Sequence, residues 1–207
     1  MKTNRAYSPK EIGKIKTKTL ALEGKWKEAF GEPSETETWF IYGPSASGKS
    51  SFVMQLTKML CGFGPVLYVS LEEGVGLSFQ QRLKRFRMDE VQGRLRIITD
   101  DSIESLRARL KRQKSAKYIV IDSFQYTEWT YPEAKALIDE FPRKGFIFIS
   151  QEDKGRPIGK AAVRLKFAAG IKIRALGYKA YCLGRYIGDA AAYYPIWEEG
   201  IMKLELK

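Results

Sequence analysis

Thr38-Trp39-Phe40-Ile41-Tyr42-Gly43-Pro44-Ser45-Ala46-Ser47-Gly48-Lys49-Ser50-Ser51 is the stretch whose reading decides the fold. An apolar run of strand length enters the pattern G-x-x-x-x-G-K-[ST], and a helix-like segment to Leu60 leaves it. The chemistry calls for each residue type where it stands. Gly43 and Gly48 let the backbone turn so that successive N–H groups face phosphate oxygens. Lys49 has the reach to meet β- and γ-phosphates, and the Ser50 hydroxyl suits Mg²⁺. The helix that follows offers its N-terminus to an anion. Gly43 through Ser51 are therefore the expected phosphate cradle.

Bulk properties narrow the rest. A chain of 207 residues with 44% apolar side chains is long enough to bury a core as one domain. Net charge is +12, which favours a polyanionic partner. No apolar run approaches the ~20 residues of a membrane span, and Met1 to Arg5 carries no signal-peptide core. The two cysteines, Cys61 and Cys182, have no metal-binding spacing, so a reduced cytoplasm is expected. The chain contains no histidine, which excludes His-activated nucleophiles and argues against structural zinc.

Working outward, Ser8-Pro9 is a helix-start signal, and residues 1–30 hold eight Lys/Arg against three Glu. The spacing predicts a basic helix to about Phe30 and a turn-rich connector over 31–37. The core is expected over 38–207. Strands are predicted at 39–42, 66–70, 95–98, 118–122 and 146–150, alternating with helices at 49–60, 75–88, 102–112 and 132–141. That alternation predicts an α/β fold, a mostly parallel central sheet flanked by helices. Beyond Gln151 the pattern changes to β-hairpins: strands at 171–176 and 179–183 around Gly177-Tyr178, then 193–197 and 201–206.

Three strand ends carry the remaining chemistry. Tyr118-Ile119-Val120-Ile121-Asp122 ends in an acid able to orient Mg²⁺ or its water. Val66 to Ser70 leads to Leu71-Glu72-Glu73, where one glutamate can polarise an attacking water; spacing does not choose between them. Phe146 to Ser150 leads to Gln151, which can hydrogen-bond a γ-phosphate. From Lys154 to Tyr186 there are nine Lys/Arg and no acid. Its first part, 154–160, reads as a flexible loop, and Lys154, Arg156, Lys160 and Arg164 are the expected contacts to a nucleic-acid backbone. The aromatic loop 124–131 suits base stacking or a subunit interface.

Together these residues resemble the RecA-like P-loop NTPases, most closely the RadA/Sms branch, with DnaB-type helicases next. Leu67-Tyr68-Val69-Ser70-Leu71-Glu72-Glu73 is similar to the family text LYVSGEES, which makes Glu72 the catalytic glutamate. Val120-Ile121-Asp122-Ser123-Phe124-Gln125-Tyr126 is similar to V-I-D-S-I-Q-T, and Arg82 to Phe86 to R-A-x-R-L. Gln151 matches the DnaB-type S-Q motif. Leu183-Gly184-Arg185-Tyr186-Ile187-Gly188 resembles K-N-R-F-G, with Leu183 in place of the lysine and Arg185 in place of the trans-acting arginine. The resemblance covers roughly residues 38–200, without the zinc finger and Lon-like domain of RadA.

The resemblance implies an ATPase using ATP and Mg²⁺, with metal on Ser50 and Asp122 and catalysis by Glu72, Gln151 and Arg185. It implies a homo-oligomer, hexameric ring or helical filament, with sites between subunits, acting on DNA, chiefly single-stranded, with no membrane role. Two alternatives remain open: an ATP-gated loader or clamp for a protein partner, and a nucleotide kinase, because guanylate kinases share the Gly-Pro-Ser-x-Ser-Gly-Lys-Ser text.

Overall fold

The computed structural model describes residues 5–99, 102–186 and 192–206. The amino-terminal segment is not one helix. It forms α1 (Pro9–Ile12) and α2 (Gly24–Phe30), with an extended stretch between them that bridges Thr19 to Ser34. Ser8 and Glu11 make a reciprocal capping box with Pro9 at the first helical position, so the start signal is right. Gly13 and the polar run after it carry no apolar face, and α1 ends.

The core then alternates in order. It comprises β1 (Thr38–Gly43), α3 (Lys49–Cys61), β2 (Val66–Ser70), α4 (Leu77–Arg85), β3 (Leu95–Ile98), α5 (Ile103–Leu110), β4 (Tyr118–Asp122), α6 (Tyr131–Glu140) and β5 (Gly145–Asp153). After it come β6 (Arg156–Pro157), α7 (Lys160–Ala168), β7 (Ile171–Leu176), β8 (Lys179–Cys182), β9 (Tyr194–Pro195) and α8 (Glu198–Glu205). The main sheet runs β3-β2-β4-β5-β1-β7-β8-β9, and β6 pairs with β5 alone. The first six strands in that order are mutually parallel; β8 and β9 return antiparallel.

Burial follows the two-residue period of a strand. Trp39, Ile41, Tyr118, Val120, Ile147 and Ile149 enter one apolar layer, with Phe52, Leu56 and Phe30 of the helices. Their neighbours Phe40, Tyr42, Ile119, Ile121, Phe146 and Phe148 enter the other, with Leu106, Leu137 and Leu165. Both faces are covered, which is why these strands read as continuous apolar runs. Trp26 of α2 stacks on Tyr194 of β9 at 4.0 Å between ring centroids, so the carboxy-terminal strands close over the α2 and α3 side of the core.

Three expectations need correction. Residues 201–206 lie not in a strand but in and just after α8. Glu198 and Glu199 in its first turn favour the positive helix end, and Ile201 is buried while Leu206 stays 87% exposed. The strand expected at 193–197 shrinks to Tyr194–Pro195. The flexible loop at 154–160 is instead a tight hairpin, with Asp153 opposite Arg156 and Glu152 opposite Pro157. Lys154 and Gly155 turn it with positive φ of 47° and 82°, the geometry of a two-residue hairpin turn. The chain then enters α7, a helix the charge count obscured; its buried face is Ala162 and Leu165.

Phe148 is fully buried, whereas Phe167 on α7 is 73% exposed. Phe148→Ala is expected to lower unfolding free energy by about 3–5 kcal/mol, and Phe167→Ala to stay within about 0.5 kcal/mol, both read by urea denaturation.

Candidate functional site

Parallel strands put all their carboxyl ends on one side, and in open α/β sheets that is where ligands sit. Here β5 lies between β1 and β4, and Gly43 is the register partner of Gln151 while Ser70 is that of Asp122. The loop, the strand-end acid and the strand-end amide therefore converge by topology. A cleft of about 580 Å³ is lined by Ser45, Ala46, Gly48, Lys49, Ser50 and Ser51 on one side. Glu72, Glu73, Asp122 and Gln151 line the other.

The loop shape has local causes. Ala46 and Gly48 take positive φ, 58° and 91°. A Cβ on Gly43 would lie 2.2 Å from the Ala175 carbonyl oxygen of β7, so only glycine lets β1 and β7 close here. Gly43, Pro44 and Ser47 form the back of the loop. Lys49 Nζ donates to the carbonyls of Gly43 and Pro44, each at 2.8 Å, and is thereby folded over the loop. Burial pulls its pKa down, opposed by the charges of Glu72, Asp122 and Glu152.

The acids are held differently from one another. Asp122 accepts a hydrogen bond from the buried hydroxyl of Tyr68. Burial nonetheless pushes its carboxyl up to about 6, with Glu72 and Glu73 adding to the rise and the Tyr68 bond and Arg82 opposing it. Glu73 is tied to α4: Arg82 Nη2 donates to both its oxygens at 2.7 and 3.0 Å, and Ser78 Oγ at 2.8 Å. Burial works to raise its pKa, but these bonds outweigh it and the carboxyl stays below its ordinary value. Glu72 has its backbone N–H on the Asp122 carbonyl, and its carboxylate accepts from Gln151 Nε2 at 3.1 Å. The two adjacent glutamates are thus separated by geometry, one bonded to the α4 arginine and one to the strand-end amide.

The donor set suits a phosphorylated ligand with a hard cation. Ser47 Oγ, Ser123 Oγ and Arg82 Nη1 are buried with no hydrogen-bond partner, and Ser123 and Arg82 line the cleft. Ser50 and Asp122 supply a hydroxyl and a carboxylate oxygen, the ligands Mg²⁺ takes when phosphate and water complete its shell. Among the described residues no group of three or more acids, histidines or cysteines forms a metal cage by itself.

Several contributors were not legible as site residues. Arg82, Arg85 and Tyr178 line the cleft. Tyr178 takes φ 60° in the β7–β8 turn, donates its N–H to the Ser47 carbonyl, and lays its ring within 3.1 Å of where a Gly48 Cβ would be. Beside it opens a second pocket of about 690 Å³, sharing Ser51, Arg85 and Tyr178 and walled by Gln55, Phe86, Ile196 and Trp197. Glu152 and Arg174 form a bidentate pair at 2.6 and 3.0 Å next to Gln151. The largest cavity, about 750 Å³ against β3, touches neither the loop nor these acids.

The basic residues lie outside the cleft. Lys154, Arg156, Lys160 and Arg164 are all on the hairpin and on α7, where Arg164 stacks over the Tyr131 ring at 4.4 Å. Lys154, Arg156 and Lys160 are exposed. The acid-free stretch is less unpaired than its sequence reads, since Arg174 is bonded to Glu152 and Lys179 to Glu205. Arg185 is exposed, and its N–H donates to the Gly170 carbonyl, at the far end of β7 from the loop. Five strand residues at ~3.3 Å each put it about 16 Å from its own cleft. Ile187 and Gly188 of that segment lie outside the described residues. Among the described residues no helix is long and apolar enough to cross a membrane.

No family model matches the chain, and no curated protein does. Solved structures do. The flagellar accessory protein FlaH from Methanocaldococcus jannaschii is 17% identical, with a TM-score of 0.59 over 87% of this chain and 92% of that one. The ATPase domain of a DnaB-like helicase is 14% identical, with a TM-score of 0.49 over 68% of this chain and 69% of that one. With the sheet order and loop already described, the fold is that of the RecA-like P-loop NTPases.

Gly43→Ala is expected to force β1 from β7, because the clash is with backbone and no rotamer relieves it. A loss of about 1–3 kcal/mol in stability and loss of pyrophosphate binding should follow, measured by thermal unfolding and titration calorimetry.

Proposed function

We propose that the chain binds ATP with Mg²⁺ and hydrolyses it. The observation that carries this reading is the Gln151–Glu72 hydrogen bond at the cleft lined by Lys49, Ser50 and Asp122. Ser50 and Asp122 would hold Mg²⁺, which, when bound, offsets phosphate charge. Lys49 supplies a mobile cation to the β- and γ-phosphates. Glu72 orients the attacking water and takes its proton, and Gln151 offers a donor to γ-phosphate oxygens. Glu73 is occupied by Arg82 and Ser78, which favours Glu72 for the role. The second pocket suits the adenine. Tyr178 and Trp197 give it aromatic walls, and Gln55 Oε1, buried with no partner, is an acceptor for an exocyclic amino group.

The finer reading is an oligomer of RecA type, nearest the RadA/Sms branch, with Arg185 serving a neighbour's site. The distance of Arg185 from its own cleft supports a role in trans, which is worth ~10³–10⁵ in rate where arginine fingers act. The core over 38–207 would form a hexameric ring or filament on DNA, chiefly single-stranded, in replication, recombination or repair, with a phage or mobile-element setting. Lys154, Arg156, Lys160 and Arg164, gathered on the hairpin and α7, favour the polyanion.

One observation favours a second reading, an ATP-gated loader for a protein partner. Trp197, Met202, Leu204 and Leu206 are exposed around α8. Nothing in the cleft favours the kinase alternative, and Glu72 suits water over a phosphate acceptor.

Glu72→Gln is expected to cut phosphate release at least ~100-fold while fluorescent ATP still binds; Glu73→Gln should keep turnover within about tenfold of the parent, the difference of about one decade setting the two apart. The reverse ranking moves the base to Glu73. Replacing Arg156 and Lys160 together by Ala should reduce the slope of log affinity against log salt by about 0.7 per lost contact, read by anisotropy of a labelled single strand. An unchanged slope removes the hairpin and α7 from the nucleic-acid grip.

A further inference from the structure

Gln125 sits in the 3-10 turn (Phe124–Thr127) that follows Asp122. Its carboxamide is used at both ends. Oε1 accepts from the Gln151 N–H at 3.3 Å. Nε2 donates to the Ser150 hydroxyl and to the Ile158 carbonyl, the latter at 3.3 Å. The Gln151 carbonyl in turn accepts from the Ile158 N–H at 3.1 Å. One side chain therefore holds main-chain atoms on both legs of the β5–β6 hairpin, at its foot. On the cleft side of that foot, the Gln151 side chain bonds Glu72. On the other side the hairpin carries exposed Lys154 and Arg156.

We propose that Gln125 is a positioning residue that couples the state of the cleft to the hairpin. Its hydrogen bonds go neither to the phosphate loop nor to the acids. Any rotation of Gln151 between Glu72 and a γ-phosphate oxygen acts on a residue whose N–H is fixed on Gln125. Gln125 passes the displacement to Ile158 through its other end. An alternative route exists through the backbone pair Gln151–Ile158, but that bond alone fixes one leg to the other and leaves both free to shift against β4. Gln125 is what references them to the strand that ends in Asp122. A glutamine suits this task because it donates and accepts at once. The coupling is reciprocal: what the hairpin grips must alter nucleotide preference by the same factor.

The inference rests on the proposed use of ATP, and the test separates the two. Hydrogen exchange of the amides of residues 151–158 is measured on the full chain with Mg²⁺ and ADP, and with Mg²⁺ and a non-hydrolysable ATP analogue. Binding of each nucleotide is followed separately by fluorescence. The parent is expected to exchange at least about 5-fold differently in the two states, the lower end of common coupling factors. Gln125→Ala and Gln125→Glu should bind both nucleotides as the parent does, yet show a ratio near one. The glutamate variant keeps the size and the acceptor and loses the donor, so it reports on coupling if the alanine variant folds poorly. A side chain that merely braced the hairpin would speed exchange equally in both states and leave the ratio intact, which overturns the proposal. A parent ratio of one with both nucleotides bound overturns the coupling and leaves the ATPase reading standing. A parent that binds neither nucleotide overturns both.

Discussion

A one-residue slip of β5 between β1 and β4 would undo the site. Because the side-chain period of a strand is two, such a slip would turn Gln151 from the cleft to the opposite face. It would also send Phe146 and Phe148 into the layer shaped for Ile147 and Ile149. The packing of both layers therefore fixes the register, and the register places the amide. The same strand holds Gln125 through Ser150 and Gln151, and its continuation becomes the basic hairpin. Core packing, cleft geometry and the exposed cations share one element.

The electrostatics of the cleft depend on how few charges are left unpaired. Glu73 is neutralised by Arg82, Glu152 by Arg174, and Lys49 rests on loop carbonyls. Glu72 and Asp122 remain as carboxylates facing the cavity without an ion pair among the described contacts, one bonded to an amide and one to a phenol. The raised carboxyl of Asp122 is the cost of its burial, and a divalent cation is the species such an oxygen best accommodates.

Much of this was legible in the sequence because it follows from short-range chemistry. The five core strands and the phosphate loop announce themselves by apolar runs and by glycines that nothing else can replace. What failed was decided by partners far along the chain. Residues 201–206 alternate well enough for a strand, yet the space against Trp197 and the acids at 198 and 199 make a helix. Lys160 to Ala168 was hidden by its charges, since only Ala162 and Leu165 mark its buried face. Residues 154–160 carry the glycine and lysine of a loop, but the extension of β5 by three residues past Ser150 gives them a strand to fold back on. The separation of Glu72 from Glu73 needed Arg82, nine residues beyond Glu73, and no spacing rule contains that.

The two ends of the sheet bear on how copies of this chain can meet. At one end stands β3, four residues long, with Arg96 exposed and bonded back to the Gln92 and Leu95 carbonyls. At the other stands β9, two residues long, one of them Pro195, which has no N–H to offer. Neither gives an incoming chain the long flat row of free amide groups that invites ladder growth. Fibrillation by sheet extension is thus disfavoured at both margins, and contact between copies falls to side-chain surfaces, where geometry can be stoichiometric and reversible.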